Sequence, residues 1–109
     1  MAPPPDSITV SELAAWRAEG RDFALVDVRE PWELEICRLD GALSIPLQQI
    51  PTRRNEIAPD RPVVVFCHHG GRSAQAVAFL RRAGFAQAIN LEGGIHAWAH
   101  EVDTSMGTY

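Results

Sequence analysis

Cysteine is scarce in this chain of 109 residues, which holds only Cys37 and Cys67. Two cysteines cannot form a disulfide scaffold of the small secreted kind, although one bridge remains arithmetically open. No apolar run approaches the roughly 18 residues that would suggest a membrane span. Met1 to Asp6 lacks both a basic segment and an apolar one, so no signal peptide is expected there. These absences together lead us to expect a cytoplasmic, reducing setting, where a cysteine beside glycine and arginine reads as reactive. Ten basic residues stand against fourteen acidic ones, for a net charge of -4. No basic stripe runs along the chain, which argues against nucleic-acid binding. Neither repeats nor an interdomain linker are visible.

What is present is enough for one globular domain. Hydrophobic residues make up 46% of the chain, and a chain of this length can bury one core without a metal or a disulfide. Residues 1–7 are rich in proline and read as a flexible tail, residues 8–99 as the domain, and residues 100–109 as a C-terminal tail.

The pattern alternates strands and helices. Thr9 and Glu12 fit a capping box that opens a helix through Leu13 and Trp16, which Gly20 stops. Ser11 is a competing cap. Phe23 to Val28 is a short, nearly unbroken apolar run suited to a strand buried on both faces. Pro31 fits the first turn of the next helix. Gly41 to Pro46 contains a brief strand, followed by a helical turn over Leu47 to Ile50. Val63 to Phe66 is the clearest strand. Ser73 to Ala83 has helical spacing of apolar residues, and Gly84 ends it. Ala88 to Leu91 is a further strand, and a weak one lies near Ile8. A last helix starts at Ile95. The predicted class is therefore α/β, a parallel five-stranded sheet with helices on both faces. In such sheets ligands bind beyond the carboxyl ends of the strands, and Cys67 falls at one of those ends.

The segment Cys67-His68-His69-Gly70-Gly71-Arg72-Ser73 concentrates the chemistry. Glycines at 70 and 71 let successive N–H groups converge on one point, forming an anion-binding nest. A helix start and a nearby arginine also favour the thiolate, the nucleophilic form of cysteine. Arg72 offers a planar fork suited to oxyanions. The competing interpretation, a buried structural cysteine before an ordinary turn, leaves the glycine pair and Arg72 unexplained. His68 and His69 are expected as loop residues, because a histidine next to the nucleophile cannot readily turn its ring back onto the thiol. With no fourth ligand at metal-site spacing, we expect neither a metal nor a cofactor. Asp27, Arg29, Glu30 and Glu33 form a charged cluster. Its expected role is structural, with Asp27 capping a turn and Arg29 pairing with an acid such as Glu92; the alternative is an acid that orients Arg72. Cys37 reads as a small hydrophobe, and Trp16, Trp32 and Trp98 as packing residues.

Four segments, in order, carry a family resemblance. They are Asp27-Val28-Arg29-Glu30 with Trp32-Glu33, Gly41-Ala42 through Ile45-Pro46, the Cys67 to Ser73 loop, and Leu91-Glu92-Gly93-Gly94-Ile95-His96-Ala97-Trp98. From about Ile8 to Trp98 the chain resembles a single-domain rhodanese, a thiosulfate sulfurtransferase-like protein. It departs from that pattern at Cys37-Arg38-Leu39-Asp40, where the family often has glycine-histidine. The resemblance implies that Cys67 attacks the sulfane sulfur of thiosulfate or a persulfide donor and becomes a persulfide. It implies that the loop from His68 to Ser73 holds the outer sulfur and that Arg72 binds the donor's anionic end. A thiol, possibly a protein cysteine, or cyanide would be the acceptor, and no nucleic acid or membrane would take part. Two alternatives stand beside it: a cysteine-dependent phosphatase on the same fold, and a non-catalytic partner module. Cys67 and Arg72 enclose four residues, a tighter cradle than the five of the phosphatase pattern, which favours a single sulfur atom over a phosphoryl group.

Overall fold

The computed structural model describes residues 6–109; the tail expected over residues 1–7 lies mostly outside that range. Local signals build each element. Thr9 caps helix α1 (Val10–Ala18): its side chain accepts from the Glu12 N–H, and the Glu12 carboxylate accepts from the Thr9 N–H in return. Strand β1 is Ser7–Ile8 and β2 is Ala24–Asp27. Pro31 is the first residue of the short helix α2 (Pro31–Leu34). After β3 (Leu43–Ser44), a 3₁₀ turn leads into α3 (Ile50–Arg53). Strand β4 is Val63–Phe66, α4 is Gly71–Arg82, β5 is Ala88–Leu91 and α5 is Gly94–Glu101.

The five strands form one parallel sheet in the order β1-β5-β4-β2-β3. Side chains alternate along each strand, so the sheet sorts them into two cores. Val26, Val63 and Val65 pack with Ala76, Val77 and Leu80 of α4 and Ile50 of α3 on one face. Leu25, Val64 and Phe66 pack with Val10 and Leu13 of α1 and Ile95 and Trp98 of α5 on the other. Both faces are covered, as near-continuous apolar strands require.

The register decides where chemistry can occur. Asp27 pairs with Phe66 on one side and with Ser44 on the other, so these strands end together. The chain leaves β2 toward β3 and leaves β4 toward β5, in opposite directions along the sheet. The crevice between β2 and β4 is thus a topological switch point, where ligands bind in open α/β sheets. Arg29 follows one of these strands and Cys67 the other.

Two expectations need correction. Arg29 pairs with Asp27, not with Glu92: its Nη2 lies 2.8 Å from Asp27 Oδ2, while Glu92 accepts from the Ser7 hydroxyl. The two-residue separation in a tight turn brings the partners together before any distant acid can compete. Trp32 packs at the surface and enters neither core. It is 59% exposed and meets Tyr109 edge to face. The segment expected as a C-terminal tail begins inside α5, and Met106 and Tyr109 pack against the α1/α5 core.

Candidate active site

Cys67 directly follows β4, and α4 begins only four residues later. The intervening loop must turn sharply, and Gly70 makes this possible with φ +117, a left-handed conformation that costs other residues dearly. Gly71 is different. It is the first helical residue, and a Cβ there would meet nothing within 4 Å. Only one of the two glycines is therefore demanded by the backbone, where the sequence suggested both.

The first N–H groups of a helix have no partner within it. Here they converge on the Cys67 sulfur. Gly70 N–H donates to Sγ at 3.1 Å and Ser73 N–H at 3.4 Å, and the Ser73 hydroxyl lies 3.4 Å away. Burial pushes the Cys67 thiol up. Hydrogen bonds from the Ser73 hydroxyl and from the N–H groups of Ser73, Gly70 and Arg72 outweigh it and hold the thiol below its ordinary value. Cys67 is itself buried, at 1% exposure.

Asn90, on β5, holds this arrangement from behind. Its Oδ1 accepts from the Ser73 hydroxyl, and its Nδ2 donates to the Gly70 carbonyl. The start of α5 supports the loop from another side: Ile95 N–H donates to the Cys67 carbonyl at 2.9 Å and His96 N–H to that of His68 at 3.0 Å. Gly94, with φ +58, permits this approach, because a Cβ there would strike both carbonyl oxygens.

The Arg72 guanidinium turns toward Glu33 and meets both carboxylate oxygens, at 2.7 and 2.8 Å. Glu33 is buried and charged. The Arg72 hydrogen bond and, against the opposing effect of burial, the Glu30 N–H and Tyr109 hydroxyl hold its carboxyl at about 2. The pair keeps Arg72 beside the loop and leaves three of its five N–H donors outside this contact. Asp27 and Arg29 underlie it. Arg29, with 0% exposure, also donates to the carbonyls of Glu33 and Cys37 and to the Tyr109 hydroxyl.

His68 is half-buried and stacks on Tyr109, with ring centroids 3.8 Å apart, while His69 is exposed. Cys37 is a free thiol packed toward the α1/α5 face, whereas Cys67 belongs to the core on the opposite face. The Cys37 to Asp40 segment, the one departure from the family pattern, contributes the Cys37 carbonyl to Arg29, the Asp40 carbonyl to Arg17 and a buried Leu39.

Residues 9–101 of the chain match a family model described as a rhodanese-like domain. The chain belongs to the rhodanese-like family. A sulfurtransferase of Allochromatium vinosum is 42% identical over 94 residues, covering 86% of this chain and 88% of the relative. A probable adenylyltransferase/sulfurtransferase, MoeZ, of Mycobacterium tuberculosis is also 42% identical, over 94% of this chain. The rhodanese-like chain spans only 27% of that larger relative. Among solved structures, a rhodanese-like domain protein from Staphylococcus aureus superposes with a TM-score of 0.83 at 33% identity, covering 95% of this chain and 98% of that one. The human single-domain sulfurtransferase TSTD1 gives a TM-score of 0.79 at 25% identity, covering 88% and 96%. These similarities place the chain on the rhodanese fold, among relatives several of which are named sulfurtransferases.

Of the residues singled out from the sequence, Cys67, Gly70 and Ser73 meet at one point. Arg72 turns its side chain to Glu33. Sequence reasoning gave no role to Asn90 or Tyr109, and preferred a structural role for Glu33. Tyr109 carried no signal at all, being far in the chain from everything it touches.

Proposed function

We propose that Cys67 carries sulfane sulfur as a persulfide between a small donor and a thiol acceptor. The Cys67 thiolate attacks the outer sulfur of thiosulfate or of a persulfide. A new S–S bond forms, the donor's own bond to that sulfur breaks, and sulfite or a thiolate leaves with the electron pair. An acceptor thiolate, which can belong to a protein, or cyanide then takes the outer sulfur and returns Cys67 as thiolate. Such covalent catalysis in two half-reactions has ping-pong kinetics as its signature.

The observation that carries this reading is the convergence of the Gly70 and Ser73 N–H groups and the Ser73 hydroxyl on one buried sulfur. A cradle of this kind stabilises negative charge on sulfur in both the resting and the departing state. His68, His69 and Gly71 supply the remaining loop wall. Arg72, held by Glu33, faces the donor's anionic end with its remaining donors. A reducing compartment such as the cytoplasm suits the chemistry, since the resting enzyme must keep Cys67 as a thiolate. No helix among the described residues is long and apolar enough to cross a membrane.

Incubation with thiosulfate is expected to add one sulfur atom to the Cys67 peptide, removable by cyanide with release of thiocyanate. Cys67→Ser should abolish both while leaving the circular dichroism spectrum unchanged. Absence of the adduct with thiosulfate and with a low-molecular-weight persulfide would refute sulfur transfer. Cys67-dependent turnover of an aryl phosphate would point instead to the phosphatase reading.

A further inference from the structure

The chain has four histidines, and the fold gathers all of them into one strip. Ring centroids of His68 and His69 are 4.0 Å apart, those of His69 and His96 4.7 Å, and those of His96 and His100 4.2 Å. Three of them offer ligand atoms at a common point: one ring nitrogen each of His68, His69 and His96, all within 4.8 Å of one another. We propose that His68, His69 and His96 form a binding site for a divalent transition-metal ion of borderline softness, such as Zn²⁺ or Co²⁺, on the outer side of the Cys67 loop.

Three features support the site. First, its parts are held by backbone. The His96 N–H is bonded to the His68 carbonyl and the Ile95 N–H to the Cys67 carbonyl, so the loop and the first turn of α5 move as one piece. Adjacent histidines do not close a tetrahedral site by themselves, and the third ligand comes from an element 27 residues downstream of the His69 ring. Metal–nitrogen distances of about 2.0–2.1 Å in tetrahedral geometry place ligand nitrogens about 3.3 Å apart. Ring movements on the order of an ångström therefore close the site.

Second, His68 has an outer partner. Its ring lies nearly parallel to the Tyr109 ring, at 9°. A stack covers the ring face and leaves the in-plane nitrogen lone pair open.

Third, the donor type is selective. Neutral imidazole is the form that binds metal. Imidazole nitrogen suits Zn²⁺, Co²⁺, Ni²⁺ and Cu²⁺ rather than Mg²⁺. Three histidines leave a fourth position for water or another small ligand.

Titration of the full chain with Zn²⁺ by calorimetry, and with Co²⁺ by visible absorption, tests the site. One ion per chain is expected, with a four-coordinate Co²⁺ spectrum lacking a thiolate charge-transfer band and with no response to Mg²⁺. His69→Ala and His96→Ala should each weaken Zn²⁺ binding at least about tenfold. Cys67→Ser should retain it, which separates this site from the sulfur chemistry. In the unaltered chain, NMR signals of the three rings should shift together on Zn²⁺ addition, so a misfolded variant cannot hide the result. No saturable binding up to millimolar Zn²⁺, binding indifferent to His69→Ala and His96→Ala, or binding lost in Cys67→Ser would overturn the proposal.

Discussion

Glu33 and Arg72 lie 39 residues apart in sequence and meet through two hydrogen bonds, at 2.7 and 2.8 Å, across the mouth of the crevice between β2 and β4. The contact joins α2 to the first turn of α4. It fixes the one cation at the end of the Cys67 loop without using up its donors. Glu33 is almost fully enclosed while Arg72 is partly exposed, so the acid anchors and the arginine reaches out.

Glu33 makes the fold sensitive to acid. Its carboxyl is lowered from 4.5 to about 2. A group depressed in the folded state contributes stability above its unfolded value and loses it as pH falls through the folded one. The contribution is at most about 3 kcal/mol, present at neutral pH and lost between about pH 4.5 and pH 2. Urea unfolding of the unaltered chain should show this loss across that window, and Glu33→Gln should be less stable at neutral pH with a flatter acid limb. With thiosulfate as donor, the same variant should raise KM more than it lowers kcat, because Arg72 is no longer held.

Ser73 places both its N–H and its hydroxyl against the Cys67 sulfur, and its single hydroxyl proton serves either that sulfur or Asn90 Oδ1. Ser73→Ala removes the hydroxyl and leaves the N–H. The Cys67 thiol should rise toward its ordinary value, and the pH profile of its alkylation should move to higher pH. At neutral pH alkylation should be several-fold slower. Peptide mass analysis separates Cys67 from Cys37 in this measurement, and an unmoved profile would mean that the backbone alone sets thiolate stability.

Arg29 and Asp27 form a buried ion pair with 0% and 1% exposure. Removing one partner leaves the other charge buried and unpaired. Asp27→Asn should therefore destabilise the domain by about 3–5 kcal/mol, read as a lowered urea midpoint with an unchanged slope. Because Arg29 also binds the Cys37 and Glu33 carbonyls, the loss should spread through the turn after β2.

Gly94 and Gly71 should respond oppositely to alanine. At Gly94 a Cβ collides with the Cys67 and His68 carbonyls, and φ is +58. Gly94→Ala should lower Tm substantially and displace the loop from α5. At Gly71 a Cβ meets open space in a helical conformation. Gly71→Ala should leave Tm unchanged or raise it slightly, through the smaller entropy of the unfolded chain.

The elements were legible because their signals are local. Val63 to Phe66 is a strand in both readings, since four β-branched or aromatic residues between turns leave little choice. Thr9 and Glu12 cap α1 because partners three residues apart meet as soon as the helix starts. The Cys67 cradle was visible for the same reason: sulfur, glycine and helix start lie within seven residues. Arg29 was misassigned to Glu92 because charge alone does not say which acid is near. Trp32 was read with Trp16 and Trp98 as a packing residue, and its exposure was not visible because α2 is too short for its spacing to reveal a buried face.

By itself the sequence determined the strand–helix alternation, the position of Cys67 at a strand end and the turn that aims N–H groups at it. Each depends on neighbours along the chain, whose geometry is dictated by backbone sterics and unpaired helix donors. Only the tertiary structure decided that Glu33 holds Arg72, that Asn90 backs Ser73, that Tyr109 closes over His68 and that His96 joins His68 and His69. Those contacts link residues 17 to 41 positions apart, and what brings them together is burial of two apolar sheet faces, which specifies the sheet order and leaves no trace in local spacing.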